Sequence, residues 1–319
     1  MQPDSVLDRR AAILAAARIA PDLVKSATRL GNTTFNTAYR VRLTDGSGLL
    51  VKIAPGPDTP TMAYEHDLLR TEALFYRTVT APVPRVLTAD FSRRVIDRDF
   101  LVMTELPGDS WHDLGTRPDH DHLRHQLGGI VAGVHRSTGT TFGYPHGEQS
   151  STWRSAFLAM VESILRDADR FAVTLPRPAD RIRGLLIDHA HALDEVTTPV
   201  LVHFDLWNGN ILLGPHGITG LIDAERAFWG DPLADLASLT LFRDHIDEPF
   251  RTGYLDAGGT LRTDQAATRR LAMYRCHLYL IMLVETAPRG HVGPEHRPMT
   301  TLIGRHLVRA MAALEPRTV

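Results

Sequence analysis

Residues 199–235 constrain the fold more than any other stretch, because short apolar runs alternate there with chemically reactive side chains. The runs at 200–202 and 211–213 bracket a polar loop, and a third run at 218–222 ends at Asp223. Apolar runs of this length between Gly, Pro, Asn and Asp residues predict buried strands. Loops on such a rigid scaffold commonly carry catalytic groups. The stretch therefore predicts a functional site at the ends of neighbouring strands.

Three side chains in this stretch have the chemistry of a phosphoryl-transfer site, namely Asp205, Asn210 and Asp223. Carboxylate and amide oxygens are the hard ligands that Mg²⁺ prefers, and a further carboxylate can accept the proton of an attacking hydroxyl. Phosphoryl transfer needs these groups together with a cation on the phosphates. Each residue alone is better explained as a turn former, whereas the set at this spacing favours catalysis.

Lys52 is the predicted cation. It is one of only two lysines in the chain and lies between apolar neighbours on the second strand of a β-hairpin predicted over residues 38–54. An ammonium group there is costly to bury without a partner, so it requires a phosphate or a carboxylate. Glu65 and Glu72, seven residues apart on the next predicted helix, are both candidates for that carboxylate.

The order of predicted elements divides the chain into a small β-rich lobe and a larger, mainly helical lobe. The first lobe contains the hairpin together with predicted helices over 8–27 and 61–80 and strands over 85–91 and 100–104. Helical patterns then dominate, over 119–136, 153–172, 178–195, 234–247, 264–286 and 299–314. We predict an α+β fold with a nucleotide-binding lobe at 1–105 and a catalytic, substrate-binding lobe at 106–319. Ligand sites favour the cleft between two such lobes.

The composition excludes several classes of protein. A net charge of −2 and a pI near 6.8 give no sign of a nucleic-acid partner. No apolar run approaches the roughly 20 residues of a membrane span. The single cysteine, Cys276, excludes an intrachain disulfide and fits a reducing cytoplasm. Neither lysine follows a glycine, so the Walker A loop is also absent.

Three motifs of the chain match one family of kinases. Residues 203–210 (HFDLWNGN) resemble the catalytic-loop motif H-x-D-x-x-x-x-N of the aminoglycoside phosphotransferase and choline kinase-like superfamily. Residues 221–225 (LIDAE) resemble its metal-binding segment, and residues 229–236 (WGDPLADL) resemble its G-D-P-x-x-D-L signature. The likeness implies a two-lobed, protein-kinase-like fold and transfer from ATP, or GTP, with Mg²⁺ to a hydroxyl group of a small molecule.

The resemblance also implies a role for each reactive residue. Asp205 would be the base that faces the acceptor hydroxyl, and Asn210 and Asp223 would hold Mg²⁺. Lys52 would bind the α- and β-phosphates and pair with Glu72 rather than Glu65.

Further residues would complete the nucleotide site. Backbone groups around Met103, Glu105 and Leu106 would hold the adenine. The loop at 30–37 would cover the phosphates through Gly31, its one glycine, and through polar groups such as Asn36.

A last group of residues would support the catalytic loop. His203 would be structural, and Asp231 and Asp235 would brace the loop and cap the next helix. Phe204 stands where antibiotic kinases commonly carry Gly or Asn. Trp207 stands where protein Ser/Thr kinases carry a lysine, and together with Asp-Ala-Glu at 223–225 in place of D-F-G it separates the chain from protein kinases. The run Asp-Leu-Trp-x-x-Asn resembles ketosamine kinases.

The acceptor is predicted from the charge around the motifs. Residues 203–260 contain nine acids and three arginines, and Glu285 and Glu295 would add to this negative charge. The excess of acids predicts an acidic cleft and a cationic acceptor such as an aminoglycoside-like antibiotic. Two alternatives remain open. One is a metabolic kinase of the same fold that acts on a ketosamine, choline, homoserine or a thiosugar. The other is a pseudokinase that binds without catalysis.

Overall fold

The computed structural model describes residues 6–31, 35–115 and 119–315. Its first part is an antiparallel sheet with a helix on each side. The elements are, in chain order, α1 (Val6–Ala16), β1 (Val24–Arg29), β2 (Thr37–Leu43), β3 (Gly48–Ile53), α2 (Leu68–Thr78), β4 (Val86–Asp90) and β5 (Phe100–Thr104). The strand order is β1-β2-β3-β5-β4. The hairpin predicted over 38–54 is thus β2 and β3.

Strand β3 positions Lys52 through the alternation of its side chains. Leu49, Val51 and Ile53 are buried on one face, in a core shared with Ile13 of α1. Successive side chains of a strand point to opposite faces, so Lys52 lies on the other face, toward α2. The pairing of Lys52 with Ala38 and Leu101 places it in the middle of the sheet.

The second part of the chain is mainly helical. Its longer helices are α4 (His120–Val134), α5 (Trp153–Arg170), α6 (Ala179–Asp188), α8 (Glu248–Asp256), α9 (Gln265–Val284) and α10 (Arg297–Ala312), and shorter ones are α3 (Trp111–Leu114) and α7 (Ala234–Leu239). Two small sheets lie among them, formed by β6 (Asp109–Ser110), β8 (Ile211–Gly214) and β9 (Gly217–Leu221), and by β7 (Val200–Val202) and β10 (Phe228–Gly230). The α+β class is confirmed. No helix among the described residues is long and apolar enough to span a membrane.

The prediction of one helix over residues 8–27 is wrong at its C-terminal end. Helix α1 ends at Ala16, and Val24–Arg29 forms edge strand β1. Because β1 pairs with β2 on one side only and is largely exposed, its sequence lacks the alternating apolar pattern of a buried strand.

The helix predicted over 234–247 is also too long, since α7 ends at Leu239 and a separate helix, α8, begins at Glu248. The N-terminal signal of α8 is present in the sequence. Asp247 accepts a hydrogen bond from the Phe250 N–H at 2.9 Å, and a proline occupies the first turn. Helices α4 and α8 then cross at Gly128 and Gly253, where a Cβ atom would collide with the facing backbone.

The larger core is continuous across the two parts of the chain. Phe75 and Tyr76 of α2 and Met103 of β5 belong to the same buried cluster as the helices that follow. The sheet therefore has one face on α1 and the other on the rest of the molecule. The division at residue 105 remains a prediction.

Candidate active site

The catalytic loop connects β7 to β8 and is held by a buried residue at its start. Strand β7 is fully buried and pairs with β10. Phe204, directly after His203, has a left-handed backbone with φ +60°, which is uncommon for a bulky residue. Its ring is buried against Phe228 and His277, with centroid distances of 4.9 and 5.5 Å. Phe204 is therefore a packing residue that does not face the acceptor.

Asp235 accepts hydrogen bonds from the backbone at the start of this loop. Its carboxylate receives the Phe204 N–H at 2.6 Å and the His203 N–H at 3.1 Å. His135 contacts the same carboxylate at 2.9 Å and, through its other ring nitrogen, Tyr254 at 2.8 Å. Asp235 has no exposed surface, so it ties the loop to α4 and α8. These contacts are the ones that its predicted bracing role requires.

Asp231 holds the segment before α7. Its carboxylate accepts the Leu233 N–H at 3.0 Å, Arg270 Nε at 2.8 Å and the Tyr274 hydroxyl at 2.7 Å. These partners lie on α9 and on the turn that starts α7, so Asp231 holds the start of α7 against α9. It does not line either of the two pockets described below.

Asp205 and Asn210 face each other across the catalytic loop. The Asn210 amide donates to the Asp205 carbonyl oxygen at 2.8 Å and to its carboxylate at 3.1 Å. Burial raises the pKa of the Asp205 carboxyl to about 6, although the nearby Arg226 opposes the shift. A carboxylate with a pKa just below neutrality is suited to a general base. Because Asn210 Nδ2 is engaged by Asp205, its Oδ1 is the atom left for a cation.

His203 links this loop to the segment that carries Asp223. Its Nδ1 accepts the Asp205 N–H at 3.3 Å, and its Nε2 lies 3.0 Å from the Ile222 carbonyl oxygen. The carbonyl can only accept, so Nε2 carries the proton in the neutral ring. Burial lowers the pKa of His203, which agrees with a neutral ring that fixes geometry.

Lys52 bridges two carboxylates in the cleft. Its ammonium lies 2.7 Å from Glu72 and 2.6 Å from Asp223. Burial opposes its charge, but Asp223 and Glu72 outweigh that effect and raise its pKa well above the ordinary value. Glu65 instead pairs with Arg289 at 2.6 Å, so Glu72 is the partner of Lys52, as predicted.

Tyr76 fixes both carboxylates of this bridge. Its hydroxyl donates to Glu72 at 2.8 Å and accepts the Asp223 N–H at 2.8 Å. Asp223 is left-handed, with φ +64°, and its side chain is 41% exposed. Burial would raise the pKa of Asp223, but the Lys52 ammonium lowers it below the ordinary value. Asp223 therefore presents an ionised, accessible oxygen that could hold a metal ion.

Glu225 adds a third carboxylate to this group, and the sequence reasoning gave it no role of its own beyond its place in the segment 221–225. Oxygen atoms of Glu72, Asp223 and Glu225 lie within 4.8 Å of one another. Burial, followed by repulsion from Asp223, raises the pKa of Glu225 well above its usual value. Such a set is one that a divalent cation would stabilise. The Asp-x-Glu spacing at residues 223–225 is the sequence pattern that could have identified Glu225 as a neighbour of Asp223.

Asn36 adds a further oxygen to this set. Its amide nitrogen donates to Glu225 at 2.8 Å, while its buried Oδ1 has no hydrogen-bond partner among the described residues. A buried acceptor without a partner is costly, so Oδ1 fits a site that a hydrated cation or a ligand completes. The neighbouring residues 32–34, predicted to help cover the phosphates, lie outside the described residues.

The smaller pocket lies above Lys52 and has a volume of about 210 Å³. Asn36, Lys52, Glu72, Met103 and Asp223 all contribute to its lining. The structure thus brings together five of the residues predicted for the nucleotide and the metal.

Three other residues predicted for nucleotide binding do not line this pocket. Gly31 is exposed, with open space around it. The Glu105 carboxylate pairs with Arg40 and Arg42, and the Glu105 N–H donates to the Gly48 carbonyl oxygen at 2.9 Å. The Glu105 N–H is therefore already used within the sheet, and the binding of adenine by other backbone groups around Met103, Glu105 and Leu106 stays a prediction. Leu106 instead packs against Gly220.

The larger pocket, which we call the acceptor pocket, has a volume of about 700 Å³ and begins at Asp205. Trp207 and His112 form one side, with their rings 5.2 Å apart. Arg226 and Glu285 meet in the pocket as an ion pair of 2.7 Å. Trp207 therefore lies where it can contact an acceptor, in contrast to Phe204.

The predicted acidic acceptor cleft is not present. Of the nine acids between residues 203 and 260, Asp205 alone lines the described part of the acceptor pocket. The other eight bind partners elsewhere or face the nucleotide pocket, and they are Asp223, Glu225, Asp231, Asp235, Asp244, Asp247, Glu248 and Asp256. The charge counted along the sequence mispredicted the cleft, because most of these acids form ion pairs with residues that are distant in sequence.

Comparison with known proteins places this site in a family. The profile of the phosphotransferase enzyme family matches residues 26–274. A protein of Escherichia coli K12 named probable ketoamine kinase YniA is 30% identical over 220 residues, which cover 64% of this chain and 68% of that protein. A probable ketoamine kinase of Klebsiella aerogenes is 29% identical over 230 residues, which cover 67% and 71%.

Solved structures agree with this assignment. One from Thermobifida fusca, provisionally named fructosamine-3-kinase, is 27% identical and has a TM-score of 0.62, covering 92% of this chain and 98% of that one. The aminoglycoside phosphotransferase APH(4)-Ia, in a complex with AMP-PNP and hygromycin B, is 17% identical with a TM-score of 0.65, covering 91% and 94%. At that identity the likeness shows the fold alone, and it confirms the kinase-like fold.

Proposed function

The chain belongs to the phosphotransferase enzyme family and is a small-molecule kinase, and from this premise we propose that it transfers the γ-phosphoryl group of ATP to a sugar-type hydroxyl group. Asp205 accepts the proton of that hydroxyl. Lys52, held by Glu72, binds the α- and β-phosphates. The observation that carries the proposal is the link made by His203, which accepts the N–H of Asp205 in the acceptor pocket and contacts the carbonyl oxygen of Ile222 in the nucleotide pocket.

We propose Mg²⁺ as the metal, held by Asn210 Oδ1 and Asp223, as the sequence predicted, with Glu225 as an additional ligand. The fit rests on the chemistry of the donors, which are hard oxygens with an unpartnered Asn36 Oδ1 beside them. When bound, the ion would neutralise charge on the transferring phosphoryl group. Lys52 Nζ lies between this set and Glu72, so the chain's own cation and the metal would share the phosphates.

A ketosamine is our first candidate for the acceptor. The similarity to proteins named ketoamine kinases supports it. The lining of the acceptor pocket argues against a polycationic aminoglycoside, because the one acid besides Asp205 in the described lining, Glu285, is already paired with Arg226. A ketosamine carries one amine, which needs far less negative charge in the site.

A screen with radiolabelled ATP tests the proposal. The panel contains ketosamines, aminoglycosides, choline, homoserine and a thiosugar, each with ATP or GTP and Mg²⁺. We expect transfer to a ketosamine with ATP. Asp205→Ala should bind Mg²⁺-ATP nearly as the wild type does and lose transfer. Asp256→Ala, which removes an exposed acid outside both pockets, should keep it.

Three outcomes would count against the proposal. Near-wild-type turnover in Asp205→Ala would exclude Asp205 as the base. Transfer confined to aminoglycosides would exclude the ketosamine. Absence of Mg²⁺-ATP binding in calorimetry would favour a non-catalytic binding module instead.

A further inference from the structure

The acceptor pocket has two chemically different sides. Asp205, Asn208 and Trp207 of the catalytic loop form one side. Helices α7, α9 and α10, with the turn that follows α7, form the other side with mostly apolar side chains, among them Leu239, Leu241, Phe242, Leu278, Met282 and Leu302. An acceptor whose hydroxyl reaches Asp205 therefore extends toward an apolar wall, beside which Arg226, Arg243 and Arg289 are the charged donors.

The apolar surface continues to the mouth of the pocket. Met299, at the start of α10, lines the pocket and is 52% exposed. Val292, next to the lining residue His291, is 72% exposed. Exposed apolar residues scattered singly need no explanation, but a group at the mouth of an active-site pocket indicates a surface that binds an apolar group.

The charged groups of the pocket do not favour a polycation. Glu285 lies 2.7 Å from Arg226 and 3.7 Å from Arg289, so its charge is neutralised. Arg243 also lines the pocket, and no carboxylate of the described residues lies within 4 Å of its guanidinium group. Each further amine of a ligand would therefore meet an arginine or an apolar side chain in place of an acid.

The size of the pocket is consistent with an extended ligand. A volume of about 700 Å³ lies in the range of roughly 300–1,000 Å³ found for sites that bind drug-sized molecules. The nucleotide has its own pocket beside Lys52, so this volume is available to the acceptor. A single sugar at Asp205 would leave the wall of α7, α9 and α10 uncovered.

We propose that the acceptor is an amphiphile and not a polycation, with a hydroxyl-bearing head at Asp205 and an apolar group on the wall formed by α7, α9 and α10. This inference rests on the proposed function, because it assumes that Asp205 faces the acceptor hydroxyl. It adds that recognition comes mainly from burying apolar surface, and that Met282, Met299 and Leu302 determine specificity.

Binding of an alkyl glycoside series to the full chain tests the inference. The probes are methyl, n-butyl and n-octyl β-D-glucopyranoside, with kanamycin as the polycation, all measured by calorimetry. Burial of one methylene group strengthens binding by about fourfold, so even partial burial of the octyl chain should give at least about tenfold tighter binding than the methyl glycoside. Kanamycin should bind more weakly than the octyl glycoside.

Two variants locate the binding surface. Met299→Glu places a charge on the wall at a position that is half exposed and tolerates it. It should reduce octyl glycoside affinity at least about fivefold and leave methyl glycoside affinity unchanged. Ile187→Glu is the matched control, because Ile187 is also 52% exposed but lies on α6, outside the pocket. It should bind the whole series as the wild type does.

The results separate this inference from the proposed function. Equal affinity for all three glycosides, no effect of Met299→Glu, or tighter binding of kanamycin would each overturn the inference. Asp205-dependent phosphorylation of kanamycin would overturn it while retaining the kinase function. Selective octyl binding with no phosphoryl transfer to any acceptor would support the binding surface and count against the function.

Discussion

Replacement of Asp235 tests whether a buried carboxylate holds the catalytic loop. Asp235→Ala would leave the N–H groups of His203 and Phe204 buried without an acceptor, since both residues have no exposed surface. An unsatisfied buried donor costs about 1–3 kcal/mol, so the two together cost about 2–6 kcal/mol. Removal of the buried charge relieves a desolvation cost, and this gain partly offsets the loss of the contact with His135. We expect a decrease of about 2–4 kcal/mol in the free energy of unfolding.

Urea denaturation followed by circular dichroism measures this loss. Asp235→Asn keeps one acceptor oxygen, so about half of the decrease should remain. Asp256→Ala is a matched control, because Asp256 also pairs with a histidine, His125 at 3.1 Å, but on the surface. Its effect should stay below about 1 kcal/mol. If Asp235→Ala were as stable as Asp256→Ala, the bracing role would be refuted.

Three further changes probe the site itself. Phosphoryl transfer should fall about tenfold between pH 7 and pH 5, because Asp205, the proposed base, has a pKa raised to about 6 and must be deprotonated; a flat rate profile over this range would exclude Asp205 as the base. Lys52→Met should lower the free energy of unfolding in urea by about 3–5 kcal/mol, since Glu72 becomes an uncompensated buried carboxylate. The double variant with Glu72→Gln should recover most of that loss, and equal stability of the single and double variants would contradict the explanation. Tyr76→Phe removes the hydroxyl that binds Glu72 and Asp223 and should lower stability by about 1–3 kcal/mol, with weaker Mg²⁺-ATP binding in calorimetry; unchanged values would mean that Tyr76 does not position the site.

Local patterns in the sequence predicted the elements that present the site. The hairpin that carries Lys52 is marked by alternating apolar residues around a Gly-rich turn, and the buried strand before Asp205 is a short apolar run. Such features depend on neighbours within a few residues, so the sequence displays them directly. The choice of Glu72 over Glu65 as the partner of Lys52 came from the resemblance to the kinase superfamily, and it agrees with the ion pair of 2.7 Å.

The acceptor pocket could not be predicted in the same way. Its wall is assembled from α7, α9 and α10, so Leu239, Met282 and Leu302 meet only after the chain has folded. The same reason explains the error over charge, because Asp231 is neutralised by Arg270 and Asp244 by Arg309. Counting charges along the sequence treats these acids as free, whereas the pairs are made between distant elements.

Two residues of the site combine an unfavourable backbone with a buried anchor. Phe204 and Asp223 have φ values of +60° and +64°, and such conformations cost energy for residues other than glycine. In both cases the backbone N–H is held by a buried side chain, Asp235 for Phe204 and Tyr76 for Asp223. Phe204 immediately precedes Asp205, and Asp223 is itself a predicted metal ligand. The fold therefore maintains strain at the two points where the carboxylates predicted to be reactive are presented, as a rigid scaffold does when it preorganises a site.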